Sequence, residues 1–509
     1  MEIELENLEK FIEKRIKELK IPGLSIGIIK DGTAVYSRGY GFADIESNKK
    51  MIPKNVLRFA SISKTFTTIG LFQLWEQGKF NLDDPINQYL PNGRIRPKKK
   101  NAPPITFKHL LTHMSGMGEI LKRADLFKIP HFVNKNPEKI YSLEKLFNRN
   151  IKLKIAPGEK WCYANFGFHL LGYIIELISG VEFSEYMIRN IFNPLEMINT
   201  DFVWSDRVKV LQAKGYKLKK GKNIEFGTRT QVQMPAGSIY SSINDMMKYM
   251  ICLLNGGKTQ NGEIIKSETL KMIWNPQFQL DERLRAIGYV FWIYNLNGNK
   301  ILNHGGSING YLSEMFLIPE ENLGIIIGIN QMSLRNMDAI RIAHEILHKI
   351  LKIKDPKKKL EEITLKSDNL NLKKFKGRYG TKKGILTNTR FLSSTGEIKV
   401  KPQNNDLIYK TMWGKKKKGV KLWKVDEHDP LYYFIIDNLD YGTVPPYETV
   451  IFQEDSKGNI KSLYKGFNEY IKKPWYKTFK FKLYSRVLIT ISTILILILF
   501  LIFFSYKMK

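Results

Sequence analysis

Cysteine is nearly absent: Cys162 and Cys252 are the only two among 509 residues. Two such residues provide neither a disulfide framework nor a CxxC pair for metal or redox work, and they fit a reducing compartment. Acidic residues are also scarce, 49 against 81 lysines and arginines, for a formal net charge of +32. A balance of that kind raises nucleic acid or anionic lipid as partners. The lysine, however, runs through most of the chain beside abundant Ile and Asn, as a general bias in residue usage. No zinc-ligand spacing or aromatic RNA-binding signature accompanies it, so no nucleic acid partner is expected. No glycine-rich phosphate loop occurs and no cofactor is expected. No metal site is implied either: His344 and His348 lie one helical turn apart, which a core or surface helix explains. The N-terminal stretch lacks the basic start and apolar core of a signal peptide. It carries Leu5, Leu8, Ile12, Ile16 and Leu19 at helical spacing instead.

The hydrophobic fraction, 43%, is that of a globular protein, and the length predicts two or three domains. One run stands apart. Residues 487–504 read VLITISTILILILFLIFF without a charge, about 27 Å of helix at ~1.5 Å per residue, barely enough to cross a bilayer. KKPWYKTFKFKLYSR precedes it and only YKMK follows the serine after it. The heavier positive flank predicts a single-pass C-terminal anchor with the catalytic domain on the cytoplasmic side, and the basic stretch suits anionic head groups.

The rest reads as an α+β chain. Residues 24–29 and 34–40 are strands around the hairpin signal Asp31-Gly32. Residues 61–78 form an apolar helix starting at a serine and ending at a glycine; 106–112 form a short helix; 166–179 form a strongly apolar helix stopped by Gly180. A meander follows with strands at 288–296, 300–303, 311–318 and 323–329, then a terminal helix at 337–353. This pattern predicts an antiparallel sheet flanked by helices plus a helical subdomain, over residues 1–353. Residues 354–368 are a charged linker, 369–471 a small β domain that reads as a barrel, 472–486 a basic juxtamembrane segment and 487–506 the transmembrane helix.

Three short motifs carry the chemistry. LRFASISKTFTTIGLFQL contains Ser61-Ile62-Ser63-Lys64. S-x-x-K also begins at Ser47, Ser142 and Ser462, but only at Ser61 does an apolar approach lead into an apolar helix. Residues three apart share a helical face, so the Lys64 amine comes within hydrogen-bond reach of the serine. Near the positive helix end, and out of water, the neutral amine that can take the serine proton is favoured. A capping serine before a surface lysine is the ordinary explanation of an isolated match. Tyr163-Ala164-Asn165 is the only Y-x-N among 24 tyrosines and lies just before an apolar helix. His304-Gly305-Gly306 is the only H-x-G and follows a strand, where glycine lets backbone approach a substrate. Singly, these read as a packed aromatic with a capping asparagine and as a strand-end turn with an exposed histidine.

In this order the three motifs resemble the class C β-lactamase and penicillin-binding-protein family of serine hydrolases, of peptidase S12 type. The resemblance runs from about residue 5 to 353 and includes GYGFAD, LDDPINQYLP, ITFKHLLTHMSGM, PAGSIYSSINDM and HGGSINGYLSEMFLIP. It implies that Ser61 is the acylated nucleophile, that Lys64 activates it, and that Tyr163 shuttles a proton. It implies that Asn165 hydrogen-bonds a substrate amide or Lys64. His304 stands where many lactamases carry the lysine of a K-T-G triad, and the N–H groups of Ser61 and Ser307, beside Gly306, form an oxyanion hole. Two departures stand out: Ala164 replaces a common serine at the middle position, and His304, mostly neutral near pH 7, replaces a fixed cation for a substrate carboxylate. The second favours a peptidase or esterase over a true β-lactamase. His113 lies in a stretch that is structural in this family. LKKFKGRYG resembles the start of the lipocalin-like domain of some relatives, where it can border the cleft or act as an inert module. The expected substrate is a small peptide or ester. Two other readings stand beside the hydrolase: an inactive membrane scaffold on the same fold, and an outward-facing β-lactamase or D,D-peptidase, against which the missing signal peptide and the positive flank argue.

Overall fold

The computed structural model describes residues 5–91, 95–97, 99–118, 133–134, 142–153, 155–227, 230–231, 234–260, 262–332, 338–353, 371–380, 397–411, 417–435 and 448–474, with isolated residues elsewhere. The described residues divide into two compact units, the first within Met1–Asp355 and the second beyond it.

The first unit opens with α1 (Leu5–Leu19), the hairpin β1 (Gly23–Lys30) and β2 (Thr33–Asp44), and the short β3 (Lys49–Lys50). Next come β4 (Val56–Ala60), α2 (Ser63–Glu76), α3 (Phe107–Leu111) and α4 (Asn165–Ser179), followed by β5 (Ile239–Ser242) and α5 (Ile243–Leu254). The unit closes with β6 (Ala286–Ile287), β7 (Trp292–Leu296), β8 (Asn299–Ile308), β9 (Tyr311–Ile318), β10 (Leu323–Ile329) and α6 (Asp338–Ile350).

Eight strands form one antiparallel sheet in the order β6-β7-β8-β9-β10-β1-β2-β3. The closing meander is thereby joined to the opening hairpin, with Leu24 opposite Ile329 and Lys30 opposite Leu323. Strand alternation divides the faces. Leu24, Ile26 and Ile28, with Leu323, Ile325 and Ile327, pack into a core with Leu8 and Ile12 of α1 and Ile342 and Ile346 of α6. The other face of the same strands carries glycine where α5 crosses. A Cβ at Gly27 would lie 2.5 Å from Met247 Sδ, so the missing side chain is what lets α5 seat on β1. Beyond α5 lies the helical subdomain. α2 is buried almost all round, with the hydroxyls of its buried Thr65, Thr67 and Thr68 bonded to backbone carbonyls, and Phe66 stacks on Tyr249 of α5 at 3.8 Å.

Three of the departures from the expected boundaries have a visible cause. α2 begins at Ser63, which leaves Ser61 in the turn before it. β7 begins at Trp292 because Val290, at φ +77°, breaks the extended run. β8 continues through His304-Gly305-Gly306 to Ile308, since these residues pair in register with Met315, Glu314 and Ser313 of β9. The H-x-G motif is therefore inside a strand and its histidine is buried, not exposed at a turn.

In the second unit, strands β11 (Gly377–Gly380), β12 (Ile398–Gln403), β13 (Asp406–Thr411), β14 (Val420–Lys424), β15 (Tyr432–Ile435), β16 (Glu448–Glu454), β17 (Ile460–Lys465) and β18 (Asn468–Lys473) form a closed antiparallel barrel. Arg378 on the first strand pairs with Lys473 on the last, so no open edge remains. Tyr379, Val400, Leu422, Phe452 and Leu463 are among the side chains filling it. The expected membrane segment at 487–506, most of the basic stretch before it and most of the linker at 354–368 lie outside the described residues. Among the described residues no single helix is long and apolar enough to cross a membrane.

Candidate active site

β4 delivers Ser61. It ends at Ala60, whose φ of +48° places a non-glycine residue in the left-handed region, a strain of roughly 1–2 kcal/mol. The chain then turns tightly: the N–H of Ile62 donates to Phe59 O at 3.2 Å, that of Lys64 to Ser61 O at 3.1 Å and that of Thr65 to Ile62 O at 3.0 Å. Ser63 holds this turn in place. Its hydroxyl donates to Ala60 O at 2.6 Å and accepts from the Ile239 N–H at 2.9 Å, where β5 pairs with β4. Ser61 is left 9% exposed, at the edge of solvent.

Lys64 is fully buried. Its Nζ donates to Ser61 Oγ at 3.2 Å and to Ala236 O at 2.5 Å. Thr67, one turn on, donates to Pro235 O at 2.6 Å, so two backbone carbonyls ahead of β5 collar the first turns of α2. The Lys64 amine also stands 4.9 Å from the Tyr163 ring centroid and 5.7 Å from that of Phe168. S-x-x-K and Y-x-N are thus brought together around one amine. Sequence spacing had no signal for the carbonyls of Pro235 and Ala236, because any residue carries a carbonyl.

Tyr163 is positioned by His113. The Ala164 N–H donates to His113 Nδ1 at 3.1 Å and the Cys162 N–H donates to His113 O at 2.8 Å. The His113 ring lies 4.4 Å from that of Tyr163. An Nδ1 that accepts carries no proton, so this imidazole is neutral with its hydrogen on Nε2. His113 itself has φ +60° and is wholly buried. These contacts tie His113 to the loop that carries Tyr163. Asn165 is half-buried and opens α4.

Across the site, Gly306 lets β8 lie against β4. A Cβ there would fall 2.0 Å from Phe59 O, which instead accepts from Ser313 Oγ at 3.0 Å. The strand bearing His304, Gly306 and Ser307 is in this way packed beside the one that presents Ser61. His304 is 1% exposed and its Nδ1–H donates to Gly305 O at 2.8 Å. Ser307 is half-buried.

His169, which the sequence reading missed, sits on α4 one turn beyond Asn165. It is buried and neither ring nitrogen has a hydrogen-bond partner among the described residues. Burial first, and the Lys64 charge second, push its pKa down to about 3. A neutral imidazole thus backs the Lys64 pocket. Among the described residues no three His, Cys, Asp or Glu side chains are grouped to hold a metal ion.

Comparison with known proteins places this geometry. The chain is 25% identical over 326 residues to "Protein flp" of Staphylococcus aureus, a match covering 64% of this chain and 63% of that protein. It is 27% identical over 337 residues to the mouse "Serine beta-lactamase-like protein LACTB, mitochondrial", covering 52% of this chain and 61% of that one. The chain therefore spans a little under two-thirds of the length of these relatives. Among solved structures, the octameric penicillin-binding protein homologue from Pyrococcus abyssi matches with a TM-score of 0.60 and 26% identity, over 92% of this chain and all of that one. The model of the family described as Beta-lactamase matches residues 8–347. That span takes in the whole sheet, the helical subdomain and all three motifs around Ser61, and the chain belongs to the beta-lactamase family.

Proposed function

We propose that the protein is a serine hydrolase that cleaves an amide or ester bond through an acyl-enzyme on Ser61. The observation that carries this reading is the buried Lys64 amine, 3.2 Å from Ser61 Oγ and held by the Ala236 carbonyl. A lysine without water and beside a hydroxyl is suited to take that hydroxyl's proton as the oxygen attacks a carbonyl carbon. Tyr163, whose ring lies against the same amine, then passes a proton to the leaving group and later draws one from the deacylating water. Asn165 and His304 orient the substrate, while the N–H groups of Ser61 and Ser307 stabilise the oxyanion, with Gly306 keeping the two strands close enough. His304, a buried imidazole where a fixed cation would serve a β-lactam carboxylate, favours a small peptide or ester as substrate.

The barrel is read as a lipocalin-like accessory domain. The uncharged run at 487–504 is read as a single-pass anchor with the hydrolase on the cytoplasmic side.

Intact mass after treatment with a fluorophosphonate tests the mechanism. One covalent adduct is expected on the wild type and none on Ser61→Ala. An adduct that persists in Ser61→Ala, or none on the folded wild type with fluorophosphonates and activated esters alike, would count against a Ser61 acyl-enzyme.

A further inference from the structure

Behind the His304–Ser307 strand, on the sheet face away from Ser61, lies a carboxyl group that the proposed reaction does not use. Glu314 is the register partner of Gly305 and is 3% exposed. Its side chain lies flat on that glycine: a Cβ at Gly305 would be 2.5 Å from Glu314 Oε2. Asn303, on the other side of His304, donates through Nδ2 to Glu314 Oε1 and to Met315 O, the latter at 3.1 Å. The two residues flanking His304 are therefore both held from behind by Glu314, one by a hydrogen bond and one by contact.

The other carboxylate oxygen, Oε2, is buried without a hydrogen-bond partner among the described residues. The Tyr294 hydroxyl of β7, a buried group that senses the Glu314 charge, also lacks a hydrogen-bond partner among the described residues. Other groups face this pocket. Arg285, just before β6, acts on Glu314 through its charge, and His344 of α6 packs its ring 4.9 Å from that of Phe316, the register partner of Asn303.

We propose that Glu314 is a positioning residue for the substrate-facing strand, and that loss of its proton moves the Asn303–His304–Gly305 segment. A protonated carboxyl can remain on Gly305 and accept from Asn303 with no charge to solvate. An ionised one, in a pocket with one oxygen unpaired, is drawn toward the Tyr294 hydroxyl and the Arg285 guanidinium and pulls on both of its clamps. Burial pushes the carboxyl up to about 7, with the Asn303 bond and Arg285 opposing, so the change falls within the ordinary working range. Only the kinetic consequence rests on the hydrolase reading: substrate handling by His304 would change with the state of a group that never touches substrate.

The test follows the His304 ring by NMR in histidine-labelled protein, assigned by its disappearance in His304→Gln. In the wild type the His304 resonance is expected to inflect near pH ~7. In Glu314→Gln, which keeps the shape and the acceptor for Asn303, that inflection should shift or vanish, leaving only protonation of the ring itself. In Tyr294→Phe, which removes a donor to the ionised form, it should move to higher pH. A His304 titration identical in wild type, Glu314→Gln and Tyr294→Phe would overturn the proposal; should Glu314→Gln not fold, an unmoved Tyr294→Phe midpoint does so by itself. The rate of Ser61 labelling, taken as the ratio of wild type to Glu314→Gln, should change about threefold or more across the same range. A wild type that is not labelled at all would count against the hydrolase reading, while the His304 titration would still decide this one.

Discussion

Ser61 and Lys64 were legible as residues, because a serine and a lysine three apart in an apolar setting have few cheap explanations once Y-x-N and H-x-G join them. Their neighbours were not. The Ala236 carbonyl that holds Lys64 comes from a segment 172 positions away, and the His113 that accepts from the Ala164 N–H beside Tyr163 lies 51 residues before that alanine. The His113 bond is testable. His113→Leu leaves the buried Ala164 N–H without its acceptor, which should cost about 1–3 kcal/mol by chemical denaturation and slow Ser61 labelling. His113→Asn tolerates the positive φ, retains an acceptor and should recover part of both. His169 gives a pH signature of stability. Its folded pKa of about 3 lies below the ordinary histidine value, so the unfolded chain takes up the proton first as pH falls. The stability this group protects is complete above about pH 6.5 and is lost as pH falls toward its folded pKa. His169→Phe should flatten that limb of the denaturation midpoint against pH, and a limb of unchanged slope would show that other groups set it.

Among the elements, the strands and helices with a clean period were read closely. Residues 323–329 form a strand throughout, and Gly180, with φ +75°, stops α4 where the glycine predicts. The misreadings fell where pairing overrides local pattern. Two successive glycines look like a turn, yet β8 runs straight through Gly305 and Gly306 because β9 and β4 approach too closely for side chains. Ser61 looks like a helix start, yet Ala60 is forced to a positive φ and the helix begins two residues later. The seat of α5 on the sheet follows the same logic as β8. Gly27→Val would drive a branched side chain into Met247 and Ile243, and should destabilise by about 1–3 kcal/mol or more. A Gly27→Val protein with the wild-type denaturation midpoint would mean that α5 can shift without cost.

For the whole molecule, the chain order of sheet, helical insertion, sheet and barrel followed from periodicity and turn residues. The membrane anchor is the prediction that belongs to this scale. The intact chain is expected to remain with membranes after a carbonate wash, and a chain ended at Pro474 to be released while keeping Ser61-dependent labelling. An intact chain found in the wash would remove the anchor from the reading. By itself the sequence determined the element types, the anchor candidate and the identity of the residues around Ser61, because hydrophobic period and rare motifs are local properties of the chain. Only the tertiary structure decided which carbonyls and imidazoles surround Lys64, that His304 is buried within a strand, and that Glu314 lies behind it. Those depend on pairings between distant segments, β8 with β4 and β9 and the Tyr163 loop with His113, which local pattern does not encode.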